Sequence, residues 1–520
     1  MNTLRNISKS LHPFLIALIP SVYIAANNLA ECPGKEIVIA STSSLIITGI
    51  CLVLAFSFCK KINQATFITS LFIGLLFSFG PMYDLLFPHT SRPLLCLLML
   101  GGAFLGIFST LIYQSKKRAK LLSLGNAFFS FFSLVMLAMI SLQMLSNPVF
   151  LLKAKKIPSI ITARFSKTNT DLTPIFESPA KPIIAQKYFP DIYYIILDGY
   201  ARKDTLNRVF HYDNTAFETA LSKKGFYIAN QSTSNYPMTH LSLASSLSME
   251  HINHIAAENG VKNCQPYFDR IRNPKIAQAL KNQGYEYHTI SSGWYPTSAP
   301  SYYSDHHYST TLSKLSNYYQ TLLAMTPLKP FIGATQATLR LYAFTALEQI
   351  SMQHHKPKLV FLHLVMPHPP AYFDSQGNIK NITQTDLNHY FDKTEYIEQL
   401  IFLNRKVLEA VNGILKNSSH PPLIILQADH GSGHTFETFK KGVPSSNQIQ
   451  ERFPIFNAYF GPPEFQKMLY PTITPVNSFR VVFNYLQLDM WPLLPDTNYF
   501  QWHYDEAGIV DVTSEMLAMN

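Results

Sequence analysis

Five long apolar runs fill the first 145 residues, at about 12–30, 37–59, 65–87, 92–113 and 121–145. Each approaches or exceeds the roughly 20 residues a helix needs to cross a hydrocarbon core of about 30 Å. Lipid offers no partner to a backbone N–H or C=O, so such runs are expected as five transmembrane helices. The loops between them predict a direction. Arg5, Lys9, Lys60, Lys61, Lys116, Lys117, Arg118 and Lys120 fall on one side, and only Lys35 and Arg92 on the other. That bias puts the N-terminus in the cytoplasm, and an odd number of crossings leaves everything after residue 145 outside it. Four further spans follow the first run, which therefore reads as a span and not as a cleaved signal peptide.

Charge supports the same division. Only 14% of residues are charged, against roughly 25% in ordinary soluble domains. Residues 1–145 hold ten Lys/Arg against three Asp/Glu, and residues 146–520 hold 32 against 29. The net +10 is thus +7 in the first segment and +3 in the second. The basic excess belongs to membrane loops, so a nucleic-acid partner is not expected. Cys32, Cys51, Cys59 and Cys96 lie in the apolar third and only Cys264 beyond it, which excludes a disulfide-stapled scaffold.

Residues 146–188 contain prolines 148, 158, 174, 179 and 182 and read as a linker. Within it, Leu151–Lys156 suits either a short helix lying on the membrane surface or a plain tether. From residue 189 the pattern changes. Tyr193–Leu197, Val360–Val365 and Leu423–Gln427 are short apolar runs, as strands buried on both faces would be. Helical stretches at 214–225, 274–284 and 395–416 separate such strands. Alternation of this kind predicts an α/β domain at 189–520, an α/β/α sandwich on a mostly parallel sheet. Ligands in such folds gather beyond the carboxyl ends of the strands. Trp491-Pro492 and the aromatic stretch Tyr499–Tyr504 read as packing, and His354-His355 as a solvated loop.

Two strand ends carry chemistry. Leu197 is followed by Asp198-Gly199, and Gln427-Ala428 by Asp429-His430-Gly431. Carboxylates and imidazole are donors for Zn²⁺ or Mn²⁺. Between them lies the hydroxyl-rich stretch Ser232-Thr233-Ser234-Asn235-Tyr236-Pro237-Met238-Thr239, which leads into Leu241–Leu247. Proline suits a first helical turn, so a helix is expected to begin near Pro237. Hydroxyls at a helix N-terminus sit in a field that favours an alkoxide or phosphate.

The order Asp198-Gly-Tyr, hydroxyl-rich helix start, Asp429-His430-Gly, then Arg452-Phe453-Pro454-Ile455 resembles the alkaline-phosphatase/sulfatase superfamily. With the preceding spans, it is similar to the membrane branch that holds the lipoteichoic-acid synthases and lipid A phosphoethanolamine transferases. The resemblance implies that Asp198, Asp429 and His430 bind one divalent metal ion, Zn²⁺, Mn²⁺ or Mg²⁺. It maps substrate-side histidines to His368, in Met366-Pro367-His368-Pro369-Pro370, and to His434. The family nucleophile lies two residues before a proline, which puts Asn235 in that slot. An amide cannot attack there, so Asn235 is left as a substrate-binding group. The attacking hydroxyl is then Thr239, or Ser234 or Thr233, or else covalent catalysis has been lost. No Cys/Ser-x-Pro-x-Arg is present, so formylglycine sulfatase chemistry is not expected.

The implied activity is transfer of a phospho-alcohol group, of phosphoethanolamine or phosphoglycerol type. A phospholipid would donate it, and an envelope glycan or lipid would accept it outside the cytoplasmic membrane. The alternative is a catalytically impaired member that serves as an envelope binding or assembly module.

Overall fold

The computed structural model describes residues 11–27, 34–86, 119–146, 189–255, 264–310, 317–380, 392–435, 444–488, 490–501 and 509–517, with a few positions between 98 and 110. They fall into two units.

The first unit contains helices α1 (His12–Asn27), α2 (Gly34–Cys59), α3 (Ile62–Leu86) and α4 (Ala119–Ser146). Three segments, Gly34–Cys59, Ile62–Tyr83 and Leu122–Leu145, are long and apolar enough to cross a membrane. The first expected run, 12–30, is described as helix over the 16 residues His12–Asn27, and its last three residues lie outside the described ones. The expected fourth span lies largely outside the described residues, as do the linker and its candidate surface helix.

Helix α2 shows how these segments pack. Val38, Ile46, Ile50, Val53 and Phe58 are exposed, while Ala40, Ser44 and Thr48 are buried. Small residues spaced by four let neighbouring backbones approach where lipid supplies no hydrophobic drive. Polar side chains then bond between helices, Ser21 Oγ to Ser41 Oγ at 2.9 Å and His12 Nδ1 to Ser70 Oγ at 2.6 Å. A short helix from later in the chain, Asn317–Ala324, belongs to this unit, and its Tyr318 hydroxyl lies 2.6 Å from Ser21 Oγ.

The second unit is built on a seven-stranded sheet of order β2-β7-β6-β1-β5-β3-β4. Its strands are β1 (Ile192–Leu197), β2 (Tyr227–Ile228), β3 (Glu286–Ile290), β4 (His306–Tyr308), β5 (Lys358–Leu364), β6 (Leu423–Gln427) and β7 (Asn457–Phe460). The five strands β6, β1, β5, β3 and β4 run parallel, and β7 and β2 complete the sheet by antiparallel pairing. The three apolar runs singled out in the sequence are the three central strands.

Alternation along β1 explains the layering. Tyr193, Ile195 and Leu197 enter one core, and Ile192, Tyr194 and Ile196 the other. Helix Lys393–Asn417 covers the first face. The second is covered by helix α5 (Thr239–Ser248) and by helix Pro475–Tyr485. Complete burial of a Leu or Ile side chain stabilises by about 1.5–3 kcal/mol, and every residue of β1, β5 and β6 is buried. Groups mounted at the tips of these strands therefore stand on a rigid base. Trp491 packs beside Arg480 and Tyr499 stacks on Tyr236, while residues 502–504 of the aromatic stretch lie outside the described residues.

Candidate active site

Register places the acids. β1 pairs with β6 at Ile196–Gln427 and with β5 at Ile196–His363. Two residues beyond the first pair, on adjacent strands about 4.8 Å apart, stand Asp198 and Asp429. Gly199 turns the chain away with φ of +72°, a conformation glycine adopts without steric cost. Its N–H donates to Asp429 Oδ1 at 3.0 Å, and the His430 N–H donates to the same oxygen at 2.9 Å. The turn is further held by Tyr396, whose hydroxyl donates to the Gly199 carbonyl.

His430 Nδ1 lies 2.9 Å from the Gly431 carbonyl. That acceptor fixes the proton on Nδ1 and leaves the lone pair on Nε2. Around Nε2 stand Asp429 Oδ2 at 3.2 Å, Asp198 Oδ1 at 3.6 Å, Thr239 Oγ1 at 3.0 Å and Arg452 Nη2 at 3.1 Å. Asp198 Oδ1 and Asp429 Oδ2 are buried and have no hydrogen-bond partner among the described residues. Two desolvated carboxylate oxygens facing one imidazole lone pair and one hydroxyl form a donor set that fits a divalent cation.

The electrostatics agree. Burial, then the Asp198 charge, pushes the Asp429 carboxyl up. Asp198 moves the other way. Burial opposes its charge, but His368 and His363 outweigh it and hold the carboxyl low. Burial and the Arg452 guanidinium keep His430 neutral, the form that ligates a metal.

Thr239 is the first residue of α5, following Met238 in extended conformation. The helix was expected near Pro237 and starts two residues later. The reason is long-range: Arg452 Nε donates to the Pro237 carbonyl at 2.7 Å, holding Pro237 outside the helix. The shift makes Thr239 the residue whose hydroxyl reaches the cluster. Of the three candidate hydroxyls, Thr239 is the one hydrogen-bonded to the cluster among the described residues. Thr233 Oγ1 accepts from Asn498 Nδ2, and Ser234 is fully buried with its hydroxyl unpartnered among the described residues. Asn235 donates to the Thr497 carbonyl and accepts from the Val476 N–H, so its amide ties the loop to backbone.

His368 joins Asp198 and His430 in a group whose donor atoms lie within 4.8 Å of one another. His368 and His434 line one small pocket with Gly199, Phe210 and Arg452. Glu451 sets the His434 loop. It is completely buried and accepts from Ser432 Oγ, the His434 N–H and the Thr435 N–H. Helix Ser446–Arg452 thus supplies the loop anchor and, at the next residue, the guanidinium beside His430.

His363 is a site residue that sequence reasoning missed. It sits inside β5, fully buried, with Nε2 3.1 Å from Asp198 Oδ2 and Nδ1 2.9 Å from Thr297 Oγ1. The available signal was a single imidazole within the apolar run Val360–Val365.

The sulfatase family profile matches residues 190–471, more than half of the chain. The chain belongs to the sulfatase family. Among curated proteins, the phosphoethanolamine transferase EptA of Helicobacter pylori is 28% identical over 142 residues, 24% of this chain and 26% of that protein. The match thus spans about a quarter of that relative's length. Among solved structures, the C-terminal periplasmic domain of EptC from Escherichia coli shows 15% identity and a TM-score of 0.40, covering 62% of this chain and 92% of that one. The integral membrane lipooligosaccharide phosphoethanolamine transferase A (EptA) of Neisseria meningitidis shows 12% identity and a TM-score of 0.40, covering 93% and 98%. This sulfatase-family chain thus joins apolar helices long enough for a membrane to an α/β domain whose strand ends carry a metal-compatible cluster.

Proposed function

We propose that this chain is a metal-dependent, membrane-bound transferase that moves a phospho-alcohol group, with Thr239 as its nucleophile. The observation that carries the reading is the Thr239 hydroxyl, at a helix N-terminus and 3.0 Å from His430 Nε2. A Zn²⁺ or Mn²⁺ ion held by Asp198, Asp429 and His430 would supply Lewis acidity, lowering the hydroxyl's pKa and neutralising phosphoryl charge.

The chain's own groups divide the remaining work. Thr239 Oγ1 attacks phosphorus in line as the alkoxide, the form in which it also leaves at the end of the cycle, forming an O–P bond as the bond to the donor's alcohol breaks. The departing alkoxide takes a proton from His368 or His434, which line the same pocket. An acceptor hydroxyl then gives up its proton to that histidine and attacks phosphorus, and Thr239 is released. Arg452, beside the cluster, favours an anionic group there. Apolar helices ahead of the domain suit a phospholipid donor and an envelope glycan or lipid acceptor, with the domain on the outer face of the cytoplasmic membrane. The name carried by the Helicobacter pylori relative points to phosphoethanolamine as the transferred group. The Thr239 hydroxyl beside His430 supports catalysis despite Asn235 in the usual nucleophile slot.

The test is intact-mass and peptide mapping of the full chain with metal and phosphatidylethanolamine. A phosphoethanolamine adduct on Thr239, absent from Thr239→Ala together with transfer activity, is expected. An adduct on another residue, or a Thr239→Ala variant that still turns over, would reject the assignment.

A further inference from the structure

At the edge of the sheet, β3 and β4 pair in parallel with His288 beside His306. Their rings lie 4.6 Å apart. Glu286, two residues before His288 and so on the same face, brings Oε2 to 3.6 Å from His288 Nε2 and 3.7 Å from His306 Nε2. One donor atom from each of the three lies within 4.8 Å of the others. The Thr239 site uses none of these residues.

The group differs from an ordinary surface ion pair. The His288 side chain is 1% exposed, and its Nε2 has no hydrogen-bond partner among the described residues. A buried polar atom left so is costly. Its other nitrogen, Nδ1, is 3.2 Å from the Tyr308 hydroxyl, which receives a bond from Gln353 Nε2 at 3.1 Å. A proton on Nδ1, donated to Tyr308, puts the lone pair on Nε2 and aims it at Glu286. Metal-binding histidines are held in this way by a group behind the ring. Burial, then the neighbouring His306, brings His288 down to about 4, so the ring is neutral at pH 7. The Lys356 ammonium takes the other carboxylate oxygen, Oε1, at 3.3 Å, leaving Oε2 to the imidazoles.

Spacing decides what fits. A tetrahedral ion with bonds of about 2.0–2.1 Å sets its donors about 3.4 Å apart. The two carboxylate–imidazole distances are 3.6 and 3.7 Å. We propose that Glu286, His288 and His306 form a second metal site, for a divalent transition-metal ion of which zinc is the best chemical match. Two imidazoles and one carboxylate suit zinc and not the all-oxygen shells of Mg²⁺ or Ca²⁺. His306 is 49% exposed, so the fourth position opens to water. The ion clips β4, a three-residue edge strand, onto β3 and so protects a sheet edge.

The probe is Zn²⁺ alone, in equilibrium dialysis of the chelator-stripped full chain, paired with thermal melts. His306→Ala and Glu286→Gln alter groups that are partly exposed, and their metal-free melts check that the fold survives. Each should bind one zinc fewer than wild type and lose the zinc-dependent rise in melting temperature that this site provides. Asp429→Ala should lose a different equivalent, so the Asp429→Ala/His306→Ala double variant loses two. Wild-type stoichiometry in His306→Ala and Glu286→Gln would overturn the proposal, whatever Asp429→Ala does.

Discussion

Gly431 is where the smallest chemical change should undo the active site. A Cβ at this position would sit 2.4 Å from the Glu451 carbonyl oxygen and 2.9 Å from those of Arg452 and Pro454. All three are backbone atoms, so no side-chain rotation relieves the contact. Ordinary contact begins at 3.4 Å, so the residue must retreat by 1.0 Å, the difference between 3.4 and 2.4 Å. Such a move breaks the bond from the Gly431 N–H to the Arg452 carbonyl, 2.7 Å long. It also displaces the Gly431 carbonyl that orients His430. Overpacking of this sort costs about 1–3 kcal/mol, and the loss of a partner behind a ligand ring weakens metal binding by about 10–100-fold. A misplacement of about 1 Å at a reacting centre costs on the order of 10²-fold in rate. Gly431→Ala should therefore melt several degrees lower and bind active-site zinc about 10–100-fold more weakly. The assay is calorimetric zinc titration of the full chain on a His306→Ala background, beside melts of the metal-free protein. Wild-type affinity with an unchanged melting temperature would show that the three carbonyls do not confine this loop, and the reasoning would fail.

Two further outcomes follow from the same geometry. His363→Ala strips the described side-chain partner from Asp198 Oδ2. Breaking a buried pair costs about 3–5 kcal/mol, so urea unfolding of the metal-free chain should show a loss of that order, and a cost below about 1 kcal/mol would contradict the pairing. Metal affinity should depend on pH through Asp429, which burial and the Asp198 charge raise to about 7. A raised carboxyl holds its proton below that pH, and the metal must displace it. Affinity should thus fall about tenfold per pH unit below 7 and level off above, and a flat Kd from about pH 5 to 7 would rule this out.

The parts that sequence made legible share one property: their determinants are local. The apolar runs of β1, β5 and β6 declare buried strands, and Asp198 and Asp429-His430 follow them directly. What escaped depends on distant partners. The start of α5 is set by Arg452 binding the Pro237 carbonyl, 215 residues away in the chain, and nothing in residues 232–239 records that bond. Without it, Asn235 stands in the expected slot and Thr239 looks displaced. His363 resembles a core histidine until Asp198 is seen beside it. The helix Asn317–Ala324 lies within the span expected as one catalytic domain, yet its Tyr318 pairs with Ser21. Its eight-residue sequence carries no mark of that neighbour.

The separation of the active-site donors along the chain also governs when the site can exist. Asp198 meets His363 across 165 positions, and Gly199 meets Asp429 across 230. Closing loops of that length consumes chain entropy before any contact repays it. Until β1 lies between β5 and β6, the carboxylates proposed as metal ligands belong to remote stretches of a fluctuating chain. An ion present during refolding therefore finds no assembled site to accelerate. It binds the finished domain and slows its opening, since a ligand held only by the native state lowers that state without lowering the barrier into it. On the proposed site, metal content would set how long the folded domain survives, while the speed of folding stays a property of the sheet.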